Sequence, residues 1–461
     1  MSTAADPTLP PGPRYPRALQ TFGWIARPGP FMERCQARYG DMFTLRVANE
    51  GTWVFLADPA AVKQVFTGDP RLLRAGEANV ILGPILGDKS VLLLDEPEHM
   101  AQRKLMLPPF HGERMQRYRD LIAEITEREI ARWPVGEPLA LWPQMQAITL
   151  EVIMRAVFGV DEGQRLDRLR ERLRLMLDWT TDRSRLVRMA VLGPARMRTH
   201  APLRRVLGSV DEVLLEEIRL RRDDPAVGER DDILSMLVQA RHEDGSPMAD
   251  NELRDELMTL LVAGHETTAT SLAWAIERLV RHPDKLARLR DEAASDDDDA
   301  YADAVCKETL RLRPVLPIVL RRLTEPMEIG GRMLPAGVSV APCIYLVHRR
   351  EDVYPEPRAF RPERFLESPA GTYTWIPFGG GVRRCLGATF ALFEMKTVLR
   401  TLVTRVQLRP GSPEAERITR RAITMTPGRG AEVVIDATGT NGHRPARDDA
   451  RATARHAGAA T

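Results

Sequence analysis

The residues best suited to chemistry in this chain cluster in WIPFGGGVRRCLGATFALFEM, Trp375 to Met395, where one cysteine stands between glycine-rich backbone and a helix-like run. A thiolate is a soft metal ligand once it is deprotonated and its charge is compensated. Gly379, Gly380, Gly381 and Gly387 would let backbone pass close to a bulky planar group and turn N–H groups toward the sulfur. The helix that follows would direct its positive end there. Cys385 is thus suited to hold a negative charge. The bland alternative is a buried free cysteine at a helix start. That reading is given to Cys35 in a helical surface pattern, Cys306 inside a helix and Cys343 in an apolar strand. The four cysteines form no CxxC pair and no zinc-like spacing with histidine, which excludes a disulfide framework and a structural metal site.

Other short strings carry weaker signals. AGHETT (Ala263–Thr268) sets Glu266 beside Thr267, an acid–alcohol pair that could move protons. In KETLRLRP, Glu308 and Arg311 are three residues apart and share a helix face, which on a surface is commonplace and worth little. His99 and Arg103 in EPEHMAQRKL stand one helical turn apart, a spacing that presents both on one face. Alone, each would pass for solvated or structural residues.

The elements that must position these residues are mainly helical. Apolar residues recur at three- and four-residue spacing from Asp250 to Arg281, with Asp250 as a candidate N-cap and Pro283 as the stop, which predicts one long central helix. Further helices are expected at Ala302–Arg313 and from Leu386 to about Val403. Strand-like pieces occur at Met42–Val47, Trp53–Leu56 and Glu328–Val340, the last with a Gly330-Gly331 hairpin turn. With 43% hydrophobic and 28% charged residues in 461, the chain has the composition of a globular protein with a large core. No internal linker is evident. We expect a Pro-rich stretch at 1–16, one catalytic domain at 17–436 and a disordered tail at 437–461.

Sixty arginines and six lysines are balanced by 64 acidic residues, which excludes a nucleic-acid stripe. No run approaches the roughly 20 apolar residues of a membrane span, and MSTAADPTLP lacks a signal-peptide pattern, so a cytoplasmic location is expected.

The string from Phe378 to Gly387 matches F-x-x-G-x-R-x-C-x-G at every fixed position and resembles the haem-binding signature of the cytochrome P450 superfamily. AGHETT resembles that family's oxygen-binding motif, KETLRLRP its E-x-x-R motif, and RPERF supplies the matching Arg364. The resemblance spans LPPGPRYP to AEVVI. It implies a mainly α fold with small β-sheets, in which haem b lies between the long central helix and the cysteine-loop helix. Cys385 would ligate the iron, and a thiolate favours O–O cleavage. Phe378 would shield the sulfur, and His99, Arg103, Arg321 and Arg383 would contact the propionates. Arg321 is preferred to Arg322 by counting back from the Gly-Gly turn. Ala263 and Gly264 would pack on the haem, with Gly264 leaving room over the iron. Thr267 would bond dioxygen and Glu266 would lie on the proton route. Glu308, Arg311 and Arg364 would form a structural network that holds the cysteine loop.

The implied reaction is insertion of one atom of O2 into a hydrophobic small molecule: a fatty acid, terpenoid, steroid or polyketide. Segments Leu72–Leu94, Trp179–Arg204, Val262–Ala263, Val315–Val319 and Ala422–Thr424 would line the pocket. No dinucleotide or flavin fingerprint is found, so electrons are expected from a separate ferredoxin or flavodoxin with its reductase. Arg384, Lys104 and Arg114 are candidate donor contacts, and the protein is expected to be a monomer. A peroxygenase or isomerase would share the cysteine loop, and a non-catalytic haem-binding protein would need neither Glu266 nor Thr267.

Overall fold

A computed structural model describes residues 9–110, 114–159, 163–181, 193, 196–295 and 299–438. Its longer helices are α1 (Arg17–Ala26), α2 (Pro28–Tyr39), α3 (Pro59–Thr67), α4 (Glu98–Met106), α5 (Arg114–Ile130), α6 (Leu141–Phe158) and α7 (Gln164–Thr181). There follow α8 (Ala201–Arg222), α9 (Asp250–Val280), α10 (Pro283–Ala294), α11 (Ala300–Leu312) and α12 (Ala388–Arg405). The main sheet has the order β1-β2-β8-β5-β3, built from β1 (Met42–Val47), β2 (Gly51–Leu56), β8 (Ser339–Pro342), β5 (Arg321–Leu323) and β3 (Leu73–Arg74). Only the β2–β8 pairing in it is parallel. Another sheet joins β4 (Pro138–Ala140), β12 (Glu432–Thr438) and β9 (Val406–Pro410), and a hairpin of β10 (Ile418–Arg421) and β11 (Thr424–Pro427) turns at Ala422, whose φ is +51°.

α9 is the axis of the molecule. It is buried nearly all round, polar residues such as Glu256, His265 and Glu277 included, and it packs most extensively on α6 and also on α8, α11 and α12. The largest core cluster surrounds these helices, and two smaller clusters cover the faces of the main sheet. Among the described residues, no helix is long and apolar enough to cross a membrane.

Several local expectations change. Asp250 is the first helical residue rather than the cap: Ala249 is the N-cap and donates its N–H to Glu252 Oε2 at 2.8 Å. The carboxylate of Asp250 instead takes Arg222 Nε at 2.9 Å. The strand expected at Glu328–Val340 divides into a small hairpin, β6 (Met327–Ile329) with β7 (Arg332–Leu334), and β8 in the main sheet. Cys35 is buried rather than on a helix surface, because α2 turns that face to the sheet, and Cys343 follows β8 instead of lying in it. The last strand, Glu432–Thr438, takes in the first two residues of the expected tail, whose remainder lies outside the described residues.

Candidate active site

The loop before α12 is shaped by Gly379 and Gly381, with φ of +67° and +65°. Those angles strain any residue that has a Cβ. A Cβ at Gly380 would collide with the Phe66 ring of α3, and one at Gly381 with the Phe66 carbonyl. These two glycines make way for Phe66. A Cβ at Gly387 would meet nothing. The Cys385 N–H donates to Phe378 O at 3.0 Å, and the Gly387 N–H bonds the sulfur. Phe378 packs edge-on against Trp375. Burial pushes the Cys385 thiol up in pKa, against the Gly387 N–H, Arg103 and Arg384. Cys385 is nevertheless exposed, unlike the three other cysteines. Dense surroundings and open surface together mean that it faces an internal space.

Cationic groups converge beside this loop. Arg383 Nη2 donates to Asp95 Oδ1 at 3.0 Å and Nη1 to Val91 O at 3.4 Å, while its buried Nε has no partner. Buried Arg321 on β5 donates to Leu320 O at 2.8 Å, and burial together with Arg383 pushes its pKa down to about 10. Neighbouring Arg322 points elsewhere, 3.8 Å from Glu77. His99 Nδ1 lies 2.7 Å from Glu96 Oε1, and burial and Arg383 push the imidazole down to about 4, leaving it neutral. Arg103, one turn on, senses the Cys385 thiol and has no ion-pair partner among the described residues. Positive charge in this cluster exceeds the nearby carboxylates, Asp95 and Glu96. Lys104 faces away and pairs with Glu243 at 2.9 Å, and the side chain of Arg114 lies outside the described residues.

Between Asp255 and Val280, every residue of α9 is buried except Val262, Ala263, Gly264, Glu266 and Thr267, and Ala263 is exposed. The helix is therefore open at one point, the AGHETT string. Thr267 Oγ1 donates to Ala263 O at 2.7 Å. Glu266 Oε2 accepts from Gln146 Nε2 of α6 at 2.9 Å, while its buried Oε1 has no partner. Burial raises this carboxyl to about 7 against Arg421 and Gln146. A carboxyl poised there can both give and take a proton near neutrality. His265 turns away to Thr149 Oγ1 of α6, 2.9 Å distant. A Cβ at Gly264 would lie 3.4 Å from Ile153 of α6, an ordinary contact distance, so this glycine also borders the packing of α9 on α6.

A cavity of about 440 Å³ lies between Gly76, Leu93, Asp95 and Arg322, and the Arg198–Asp88 ion pair lies on its wall. It takes in part of the expected Leu72–Leu94 lining; much of the Trp179–Arg204 segment lies outside the described residues.

A separate buried network supports the loop from behind. Arg311 donates to both oxygens of Glu308, at 2.7 and 2.9 Å, and to the carbonyls of His348, Pro357 and Ala359. Arg364 Nε joins Glu308 at 3.1 Å. His348 Nε2 accepts the Ile376 N–H at 2.8 Å and Tyr354 donates to Thr374 O at 3.0 Å, which ties the network to the start of the cysteine loop.

The family model for cytochrome P450 matches residues 10–431. The chain belongs to the cytochrome P450 family. It is 45% identical to a Mycobacterium tuberculosis protein named cytochrome P450 135B1, over 99% of this chain and 97% of that one. A second protein of that organism, named cytochrome P450 137, is 39% identical over 92% of this chain and 90% of its own. Among solved structures, the retinoic acid-bound cyanobacterial CYP120A1 superimposes with a TM-score of 0.80 at 23% identity, covering 94% of this chain and 99% of that one. Mainly α with small sheets, the structure has the cytochrome P450 fold.

Cytochrome P450 proteins are haem-thiolate monooxygenases that bind haem b. The residues here fit that group: an accessible sulfur, an unpartnered buried Arg383 Nε among surplus cations suited to carboxylates, and one open point on α9. Four further residues escaped sequence reading. Asp95 and Val91 orient Arg383, Gln146 orients Glu266, and His348 holds Ile376. Asp95 stands just before the quoted EPEH string, and its acidity beside His99 was the available signal.

Proposed function

We propose that this P450 monooxygenase oxygenates an apolar small molecule with electrons delivered by a separate ferredoxin or flavodoxin, and that it works as a cytoplasmic monomer whose catalytic domain spans about 17–436. When bound, haem supplies reductive activation of dioxygen. Cys385 is the iron ligand, positioned by the Gly387 N–H and the Phe378 carbonyl. Phe378 shields the sulfur. Arg383, Arg321, Arg103 and His99 bind the propionates, and Asp95 sets the angle of Arg383.

Glu266 and Thr267 are the catalytic pair, and Ala263 presents the open face of α9. Thr267 holds its hydroxyl to the Ala263 carbonyl and, turned away from it, would offer a hydrogen bond at the open face of α9. Glu266, held by the Gln146 amide, gives and regains a proton at its carboxyl beside the open face of α9. The observation that carries this reading is the near-neutral Glu266 beside the single opening in α9. A carboxyl with that environment serves donor-driven chemistry, in which two protons must reach one oxygen.

The substrate is assigned to the fatty-acid or terpenoid class on the chain's likeness to bacterial relatives in the family, and Val262, Leu316, Ile318 and Val319 keep partly exposed aliphatic surface. The test is turnover with a bacterial ferredoxin, its reductase and isotopically labelled dioxygen against a panel of fatty acids and terpenoids. One labelled oxygen per product is expected. Product formed faster with hydrogen peroxide than with the donor would overturn the donor-driven reading, and product without label would point to an isomerase.

A further inference from the structure

α1 is turned inside out. Its inward face is polar as well as aromatic: Gln20 Nε2 donates to Pro13 O and Tyr15 O at 3.1 and 2.8 Å, Gln20 Oε1 accepts from Arg46 N, and Thr21 Oγ1 accepts from Ala48 N. Trp24 packs edge-on against Trp53 and Phe55. The outward face carries Leu19 at 56%, Phe22 at 69% and Ile25 at 41% exposure, and Tyr15 precedes them at 42%. Residues 19, 22 and 25 lie on one helical stripe, and exposed Tyr15 stands just before the helix. Core packing needs none of them.

Charge tells what covers this stripe. From residue 7 to residue 32 the chain has three arginines, Arg14, Arg17 and Arg27, and no carboxylate. All three are exposed and lack an ion-pair partner among the described residues. Aromatic and aliphatic side chains on one face with arginines at both ends match a helix lying in the interface of an anionic bilayer, where apolar side chains enter the acyl boundary and arginines meet phosphates. We propose that α1 docks this protein on the surface of anionic phospholipid membranes. This is peripheral attachment. It places an enzyme for apolar molecules where such molecules are concentrated, and α1 abuts the β10–β11 hairpin through Arg420, which stacks on Trp24 at 4.6 Å. The attachment goes beyond the proposed oxygenation and does not depend on it.

The test is flotation of the full-length, haem-loaded protein with phosphatidylglycerol vesicles and with phosphatidylcholine vesicles. Binding to the anionic vesicles alone is expected, weakening as salt is raised. A Leu19→Gln, Phe22→Gln double variant should partition at least about tenfold more weakly, and Arg14→Gln with Arg17→Gln should lose the anionic preference. The haem absorbance of each variant checks that the fold is retained, since these side chains touch no cofactor residue. Wild-type protein that stays off anionic vesicles overturns the proposal, as does equal binding by the double variant. Concentration-dependent self-association that the double variant abolishes, without vesicle binding, would assign the stripe to a second copy of the chain instead. Flotation reads attachment without turnover, so failure here leaves the oxygenase reading intact.

Discussion

Two groups of buried charges flank the cysteine loop and are built on opposite plans. In the network behind it, the central pair is saturated: all three guanidinium nitrogens of Arg311 have partners and Glu308 receives two arginines, while bare nitrogens among the described residues occur on the flanking Arg364 (Nη2) and His348 (Nδ1). In the cluster beside it, Arg383 has a bare Nε, Arg321 is bonded to its neighbour's carbonyl, and Arg103 has no partner among the described residues. Buried polar groups that are satisfied specify structure, and those that are not await a partner. The first group is a brace and the second is a receptor.

The largest effect that can break this contrast comes from Arg311→Ala. It leaves the Glu308 carboxylate buried and undercompensated, at a cost of about 3–5 kcal/mol, most of the stability of many domains. Denaturant unfolding of the haem-free chain should show that loss. Arg383→Ala should cost haem-free stability less, about 1–3 kcal/mol, because Asp95 keeps the N–H groups of Gly76 and Glu77 as donors, while haem transfer to apomyoglobin should run at least about tenfold faster. Equal destabilisation by both variants would erase the distinction.

Glu266 gives the next largest effect. Its folded pKa of about 7 lies above its ordinary 4.5. The unfolded chain therefore releases this proton first as pH rises, and burial of Glu266 costs stability increasingly from pH 4.5 to pH 7. Glu266→Gln should be more stable than wild type at pH 8 by about 2–3 kcal/mol, with the gain vanishing near pH 4. The same variant should lose about 10²-fold or more in donor-driven turnover and lose the decline of activity above pH 7. A variant whose stability gain is independent of pH would place the titration elsewhere.

The smallest effect separates the two sides of α9. Gly264→Ala fills space against Ile153 and improves helix propensity, so a gain of up to about 1 kcal/mol with unchanged haem content is expected. Ala263→Phe, on the open side, should depress haem content without lowering haem-free stability. The absorbance ratio of haem to protein reads both. A collapse of haem content in Gly264→Ala would instead show that the glycine leaves room for haem.

These contrasts mark what was legible in the chain. Cys385, Glu266, Glu308 and Arg311 could be singled out because each sits in a short string whose spacing is local. Counting from the Gly330-Gly331 turn favoured Arg321 over Arg322, and only Arg321 turns toward Arg383. What escaped was long-range: Asp95 meets Arg383 from 288 residues away and Gln146 meets Glu266 from 120. Periodicity cannot report which distant carboxylate or amide the fold brings to a side chain. Nor could it show that Gly380 and Gly381 make way for Phe66, or that the apolar stripe of α1 faces outward, since a helical pattern gives a face without saying which side is core.

The central claim is that the exposed Cys385 among surplus cations is a thiolate ligand's seat. The most direct measurement is the carbon monoxide difference spectrum of the dithionite-reduced protein beside a Cys385→His variant. The account predicts the strongly red-shifted band of thiolate-ligated haem in the wild type and its loss in the variant. Haem bound without that band in the wild type, or the same band in both, would contradict it.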